Sequence, residues 1–228
     1  MRYYGAKTKL LPFIEEVVKS TGVNGTSNFV DLFAGTTTVG RHFKKLGFTV
    51  YSNDILEFSY ALSKTYIELN EQPSFKKLKK HLKIVKDDNK LLFEYLNNLD
   101  KFEKSFIYNN YSPNGGRMYF SDDNALKIDT FRTLFHEWKE TNKINELEYY
   151  YLITSLLRAV NLVSNVTGTY AAYLKTWDKR ALNPLILKEV PIIESISKNK
   201  AFKKDANDLI KSIKPDILYL DPPYNTRQ

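Results

Sequence analysis

The sequence predicts an α/β protein in which a parallel, doubly wound sheet is interrupted by an inserted, mainly helical region. The first observation is an alternation of strand and helix patterns with short connections before residue 70. The second is a break at residues 70–74, after which long helical patterns dominate. The third is the return of the alternation near Ala201. We therefore expect a sheet domain from residues 1–70 and 196–228 and an inserted domain from residues 71–195.

Residue spacing supports each predicted element in the first part of the sheet domain. Apolar residues recur at helical spacing, and Gly22 and Gly47 follow the first two helices, where helices commonly end. The strands are short runs rich in apolar, β-branched and aromatic residues, and the first ends in a glycine turn at residues 34–36. The predicted helices cover residues 9–19, 39–46 and 56–69, and the predicted strands cover residues 28–33 and 48–52.

The inserted region and the return to the sheet follow the same reasoning. Apolar stripes predict two long helices, over residues 122–140 and 146–162, and the run of tyrosines at 149–151 is best explained by core packing. Loops with turn-forming residues cover residues 111–117 and 164–170. The returning part is predicted to contain a short strand that ends at Asp205, a helix over residues 206–213 and an apolar strand over residues 216–220.

Composition excludes several classes of protein. The 228 residues include 34 Lys and Arg against 26 Asp and Glu, and the net charge of +8 favours a polyanionic partner. The absence of cysteine excludes disulfide frameworks, thiolate zinc sites and the cysteine nucleophile that C5-cytosine methylation requires. The three histidines have no partner at metal-ligand spacing, so no metal site is predicted. The apolar run near the N-terminus is too short for a signal peptide or a membrane span, which predicts a cytoplasmic protein.

The most specific motif is Asp221-Pro222-Pro223-Tyr224, directly after the last predicted strand. The exocyclic amine of a nucleobase is a poor nucleophile because its lone pair is delocalised into the ring. The Asp221 carboxylate and the Pro222 carbonyl could accept its two N–H groups and so favour a tetrahedral nitrogen. The prolines fix the backbone, and Tyr224 offers a flat face for a base that has left the duplex. A rigid turn after a strand remains the alternative.

A second motif indicates a nucleotide-like cofactor. Residues 29–35 form a strand that ends in a glycine turn before a helix, which is where doubly wound folds bind such ligands. Asp54 stands at the end of the next strand, where a carboxylate commonly binds ribose hydroxyls. The Gly-x-Gly-x-x-Gly motif of dehydrogenases is absent. A strand, turn and helix without a ligand is the alternative for this pair.

Taken together, the motifs resemble those of Dam-like N6-adenine DNA methyltransferases, in the same order. The insert has counterparts at residues 117–120 and 168–175. The resemblance implies a Rossmann-like, S-adenosylmethionine-dependent methyltransferase sheet with an inserted target-recognition domain, the last part of the chain returning to the sheet with the catalytic turn. The matching segments are residues 2–7, 29–40, 53–54, 204–206 and 221–224.

The resemblance also implies roles for individual residues. S-adenosylmethionine would be the methyl donor and an adenine in duplex DNA the acceptor. Lys7 would bind the carboxylate of the cofactor and Asp54 its ribose, although Lys7 alone resembles a solvated lysine and Asp205 alone could be a helix N-cap. The implied cofactor-binding residues are Tyr3, Lys7, Asp31, Phe33, Ala34, Gly35, Asp54, Asp205 and Ala206. The implied catalytic residues are Asp221, Pro222, Pro223 and Tyr224.

One departure from the family concerns the cofactor turn. The family usually has Gly-Thr-Gly there, whereas this chain has Gly35-Thr36-Thr37. A Cβ at Thr37 would stand where the backbone passes closest to the cofactor, so a displaced loop or a modest loss of cofactor affinity is expected.

Basic and aromatic residues alternate in the insert, which suggests contacts with DNA. Arg117 follows two glycines that could present it to a guanine edge or a phosphate. A lysine-rich solvated surface is the alternative for each cation. The predicted DNA-binding residues are Arg117, Tyr170, Lys175, Lys179 and Arg180.

Three other functions share part of this signal. A cytosine-N4 methyltransferase would use the same amine chemistry but usually has Ser in place of Asp221. An RNA adenine methyltransferase and a non-catalytic DNA-binding or split-enzyme subunit are the other two.

Only residues 225–228 follow Tyr224, whereas the family resemblance implies about three more strands. We therefore expect either that the native protein continues past Gln228 or that a complementing polypeptide supplies these strands, the isolated chain being inactive. A partner restriction endonuclease is a further expected partner, besides double-stranded DNA.

Overall fold

The computed structural model describes residues 7–86, 88–168, 170 and 172–222, which divide into two compact units. Residues 7–73 and 191–222 form the first, which we call the sheet unit. Residues 74–190 form the second, the insert unit. None of the described helices is long and apolar enough to cross a membrane.

In chain order, a first helix is followed by two strand–helix pairs, a series of helices, and a final strand, helix and strand. Single 3₁₀ turns cover Thr8–Leu10, Pro113–Gly115 and Lys179–Leu182, and a π-helical segment covers Lys64–Glu68. The helices and strands are α1 (Leu11–Ser20), β1 (Asn28–Asp31), α2 (Thr38–Lys45), β2 (Thr49–Asn53), α3 (Glu57–Ser63), α4 (Lys76–His81), α5 (Asn89–Asn97), α6 (Phe106–Tyr111), α7 (Asp122–Glu140), α8 (Glu146–Val163), β3 (Lys200–Phe202), α9 (Ala206–Ile210) and β4 (Ile217–Tyr219).

The strands of the sheet unit form a parallel sheet in the order β3-β2-β1-β4 among the described residues. In this register Asp31, the last residue of β1, pairs with Ser52 of β2 on one side and with Tyr219 of β4 on the other. The predicted parallel α/β sheet is confirmed. Because all the strands point the same way, the carboxyl ends of β1, β2 and β4 meet at one edge.

Strand β1 is buried on both faces, as expected for a parallel strand with helices on either side. On one face, the Phe29 ring stacks on Phe43 of α2 with 4.0 Å between ring centroids, and Phe48 meets both rings edge-on. On the other face, Val30 packs with Leu32 and with Leu209 of α9. These contacts fix the helices on the two faces of β1.

The third helix differs from the prediction. The sequence predicts one helix over residues 56–69, whereas α3 ends at Ser63 and continues as a π-helical segment to Glu68. The buried Lys44 side chain reaches the end of this segment and donates hydrogen bonds to the carbonyls of Tyr66, Ile67 and Leu69. These carbonyls lack helical partners, so the ammonium satisfies them. Burial lowers the pKa of Lys44 to about 8.

The insert unit is built around α7 and α8, which match the predicted bounds to within one residue. Tyr151 of α8 is fully buried, and its hydroxyl donates to the Val190 carbonyl and accepts from the Val190 N–H. Tyr150 is buried as well and Tyr149 is partly buried, so the core packing predicted for this run is confirmed for Tyr150 and Tyr151. A capping box of Asn145 and Glu148 begins α8, and the second Glu148 oxygen accepts the N–H of Phe75.

We expect Lys44→Met to destabilise the protein by about 1–3 kcal/mol, because buried carbonyls would lose their donor. Urea unfolding measures this difference. Lys45→Met is the matched control, since it removes the same charge from the exposed neighbouring position. Equal stability of the two variants would contradict the role given to Lys44.

Candidate active site and nucleic-acid interface

Three carboxylates lie at the carboxyl edge of the parallel sheet. Asp31 ends β1, Asp54 directly follows β2, and Asp221 is two residues after the end of β4. Since β1 lies between β2 and β4, the sheet brings the three groups together although they are far apart in sequence. Their negative charges act on one another, and the carboxylates of Asp54 and Asp221 both raise the pKa of Asp31.

Asp31 is the most deeply buried of the three, with 1% of its surface exposed. Burial raises its pKa to about 7, although the N–H of Gly40 in α2 donates to the carboxylate and lowers it. The Oδ1 atom is buried and has no hydrogen-bond partner in the part of the chain that the structure describes. Buried acceptors are nearly always satisfied, so this oxygen marks a place where a ligand N–H would be stabilising.

Asp54 braces the glycine turn that follows β1. Its Oδ2 accepts the N–H of Gly35 at 2.8 Å, and its Oδ1 accepts the N–H of Leu56 at 3.0 Å. The turn also bonds to β2 through the Ala34 N–H and the Asn53 carbonyl, at 2.9 Å. The carboxylate predicted to bind ribose therefore also fixes the turn predicted to hold the cofactor.

The turn includes a backbone conformation that side chains rarely adopt. Thr37 is buried with φ of 61°, in the left-handed region, at the position where the resembling family has glycine. Its hydroxyl donates to the carbonyl of Thr36 at 2.6 Å. A β-branched residue in this region is strained by about 1–3 kcal/mol, and its surroundings hold it there.

The remaining predicted cofactor residues lie after the end of β1 and at the start of α9. Phe33 and Ala206 pack against the cluster of Val30, Leu32 and Leu209. Ala34 is buried. The carboxylate of Asp205 accepts the N–H of Asn207 at 2.8 Å, so Asp205 is the N-cap of α9.

Asn53 was not predicted as a site residue. Its Nδ2 atom donates to the carbonyls of Leu32 and Lys204, and its Oδ1 accepts the Lys204 N–H. The buried amide therefore joins the segment after β1 to the segment after β3. The sequence feature that could have identified Asn53 is the position of an asparagine at the carboxyl end of a predicted buried strand.

Asp221 has one cationic partner among the described contacts. The Nζ of Lys7 lies 3.0 Å from Asp221 Oδ2, and the two side chains are 18% and 28% exposed. Pro222 is exposed. The predictions for Tyr3, Pro223 and Tyr224 fall outside the described residues.

In the insert unit, a tight turn presents Arg117. The Arg117 guanidinium donates to the Asn110 carbonyl at 2.9 Å, and its N–H donates to the Ser112 carbonyl. Gly116 has φ of 72°, and a Cβ on Gly115 would lie 2.2 Å from the Asn109 carbonyl oxygen. Both glycines are therefore required for this turn.

Two carboxylates of α7 hold the segment that leads into this turn. Asp129 is buried and accepts the N–H groups of Ser105, Ile107 and Tyr108, which caps the start of α6. Asp122 accepts the hydroxyl of Ser112 and the N–H of Asn114. The backbone around Arg117 is thus fixed from α7.

An aromatic cluster lies next to the same turn. Tyr119 is buried, and its ring contacts those of Tyr111 and Tyr173 at centroid distances of 5.2 and 5.0 Å. Tyr170 packs against Tyr119 and Phe120 but keeps 47% of its surface exposed. Burial raises the pKa of Tyr170, and a hydrogen bond with Ser164 opposes this shift.

The other predicted DNA-binding cations differ in their surroundings. Lys175 and Lys179 are exposed. Arg180 is half-buried, 3.4 Å from Asp178, and its guanidinium also donates to the Ser164 carbonyl. The buried Asn165 joins these segments, since its side chain bonds to the backbone of residues 118, 174 and 178. Within the described ranges, no group of three His, Asp or Glu side chains is placed to hold a metal ion.

Comparison with known proteins shows the family to which this chain belongs. A family model described as D12 class N6 adenine-specific DNA methyltransferase matches residues 3–228. The chain belongs to this family. Its membership confirms the adenine-N6 DNA methyltransferase resemblance that the ordered motifs indicated. No solved structure matches the chain.

Three relatives of this D12 methyltransferase chain illustrate the family. The chain is 45% identical to modification methylase StsI of Streptococcus sanguinis and 47% identical to type II methyltransferase M.FokI of Planomicrobium okeanokoites, each over its whole length. It is 39% identical, again over its whole length, to type II methyltransferase M.NlaIII of Neisseria lactamica. The chain spans 34% of StsI, 35% of M.FokI and 65% of M.NlaIII.

The raised pKa of Asp31 makes a prediction about stability and pH. The folded protein keeps the Asp31 proton up to about pH 7, whereas the unfolded chain loses it near pH 3.8. The Asp31 contribution to stability is therefore fully present below pH 3.8 and is lost as the pH rises towards 7. The free energy of unfolding of Asp31→Asn, relative to that of the wild type, should increase by about 2–4 kcal/mol as the pH rises from 4 to 7. Urea unfolding measures it. Parallel profiles of unfolding free energy against pH for the wild type and Asp31→Asn would contradict this. Asp208→Asn, at an exposed position, is the control.

Proposed function

We propose that this chain carries the S-adenosylmethionine site and the catalytic turn of an enzyme that transfers a methyl group to N6 of an adenine in duplex DNA. The observation that carries the proposal is the pairing of β4 with β1, which brings Asp221 to the same edge of the sheet as Asp31, the residue before the cofactor turn. The family supports the same reaction. A catalytic turn beside a cofactor turn is the arrangement that direct transfer between two bound molecules requires.

The charged groups at the sheet edge suit the methionine end of this cofactor. That end carries a carboxylate and an ammonium group. Lys7 supplies a cation for the carboxylate, and Asp31 offers a buried oxygen that has no hydrogen-bond partner among the described residues, which suits an ammonium N–H. Asp54 would accept ribose hydroxyls while it holds Gly35. When bound, the cofactor supplies a methyl group on a positively charged sulfur, which leaves as a neutral thioether.

Asp221 and Pro222 would prepare the adenine nitrogen. The Asp221 carboxylate and the Pro222 carbonyl accept the two N6–H groups, which localises the lone pair on nitrogen and aims it away from both acceptors. The nitrogen then forms its bond to the methyl carbon, gains a positive charge and loses one proton towards Asp221. Tyr224 would stack on the flipped base, as the motif predicts.

The insert unit would hold the DNA. Arg117 stands on a fixed turn, and the exposed ring of Tyr170 lies on the aromatic cluster next to it. Lys175 and Lys179 are exposed and suit phosphates. Arg180, which is paired with Asp178, would position the loop and supply a weaker phosphate contact.

The biological context follows from the relatives. StsI and LlaI are named modification methylases, and M.FokI is named a type II methyltransferase. We infer that this chain is part of the modification enzyme of a restriction system and acts on cellular DNA in the cytoplasm, with a restriction endonuclease as its partner.

The catalytic role of Asp221 makes a direct prediction. In the intact protein, Asp221→Ala should lower the rate of methyl transfer about a hundredfold or more without weakening cofactor binding, because its interaction is made mainly in the transition state. Transfer of labelled methyl groups to DNA measures the rate, and nucleoside digestion identifies the product.

Asp208→Ala, an exposed carboxylate of the same unit, should leave the rate unchanged. Near-normal turnover of Asp221→Ala would refute the catalytic assignment. N4-methylcytosine in the digest, or stronger transfer to RNA, would replace the proposed substrate.

Arg117 should affect the choice of sequence more than total affinity. Arg117→Ala is expected to reduce discrimination against one altered base pair by about 1–3 kcal/mol, whereas Arg117→Lys should keep the affinity and lose the same discrimination. Binding to a panel of duplexes at several salt concentrations measures both. Uniform weakening on every duplex would show a phosphate contact instead.

A further inference from the structure

One cation serves two anions in the proposed active site. Lys7 is the residue proposed to bind the cofactor carboxylate, and in this structure its Nζ lies 3.0 Å from Asp221 Oδ2. Asp221 is the residue proposed to accept a hydrogen bond from adenine. The described ranges show no other ion pair for Asp221.

The Lys7 pair changes what Asp221 can do. An ammonium at 3.0 Å occupies one carboxylate oxygen and offsets part of its charge, so the carboxylate is a weaker acceptor for an N–H group. Both side chains are mostly removed from solvent, so water screens the pair less than it would a surface pair.

The surrounding charge limits how Lys7 can leave. Burial raises the pKa of Tyr219 to about 12, with Asp221 and Asp31 as further causes, and burial likewise raises the pKa of Asp31, with Asp54 and Asp221 adding to the shift. The edge of the sheet is therefore negative, and moving Lys7 away from Asp221 is unfavourable unless another anion receives it. A ligand carboxylate bound within its reach is such an anion.

We propose that Lys7 couples cofactor binding to the release of Asp221. The Asp221 carboxylate and the carboxylate of S-adenosylmethionine compete for Lys7, so Asp221 becomes a full acceptor for adenine only when the cofactor carboxylate has taken over the lysine. This inference rests on the proposed function. Lys7 acts here as a positioning residue for Asp221.

The test is a double-mutant cycle on cofactor affinity, which needs no turnover. Calorimetry measures the binding of S-adenosylhomocysteine, whose sulfur is neutral, to the intact wild-type protein, Asp221→Asn, Lys7→Met and the double variant. Asp221→Asn should bind about three- to tenfold more tightly than the wild type, because the cofactor carboxylate no longer competes with the Asp221 carboxylate for Lys7. In the Lys7→Met background, Asp221→Asn should change the affinity less than about twofold.

Two controls isolate the ligand carboxylate and the position of the lysine. 5′-Methylthioadenosine lacks the carboxylate, so its affinity should not increase in Asp221→Asn. Lys9→Met removes a charge from an exposed neighbouring lysine and should leave the binding of both ligands unchanged. Circular dichroism spectra confirm that each variant is folded.

The outcomes separate this inference from the proposed function. Equal effects of Asp221→Asn with and without Lys7 would overturn the coupling, as would the same gain for 5′-methylthioadenosine. Binding of S-adenosylhomocysteine to the wild type supports the proposed cofactor whatever the cycle shows. No binding to any folded variant would overturn both.

Discussion

Strand β1 is hydrogen-bonded on both sides, and the placement of each functional group in the sheet unit depends on this pairing. Its neighbours β2 and β4 are parallel to it, so Asp31, Asp54 and Asp221 end at one edge. The strand is held in place from both faces by the Phe29–Phe43 stack and the Val30 cluster. A one-residue shift in register would turn Asp31 to the opposite face of the sheet and separate the carboxylates.

The same pairing creates an electrostatic cost. Three carboxylates at one edge repel one another, and the deepest of them, Asp31, has its pKa raised to about 7, mainly by burial. The ion pair between Lys7 and Asp221 offsets part of this charge. The excess negative charge, and a buried acceptor with no partner in the described part of the chain, favour a ligand with cationic groups at this edge.

The insert unit uses buried carboxylates differently. Asp129 is as deeply buried as Asp31, but it accepts three backbone N–H groups. It fixes α6, whose Asn110 carbonyl in turn accepts the Arg117 guanidinium. A side chain that reads DNA gains specificity from such a fixed backbone, because less conformational entropy is lost on binding.

The sequence by itself determined the order of the elements, the long helices α7 and α8, the parallel sheet and the family. Those features depend on local periodicity, on turn residues and on ordered motifs, all of which are properties of neighbours in the chain. The tertiary structure decided the π-helical end of α3, the left-handed Thr37, the bridging role of Asn53 and the pairing of Lys7 with Asp221. Each of these depends on groups that strand order and packing bring together. A pattern along the chain does not show which distant side chains compete for the same partner.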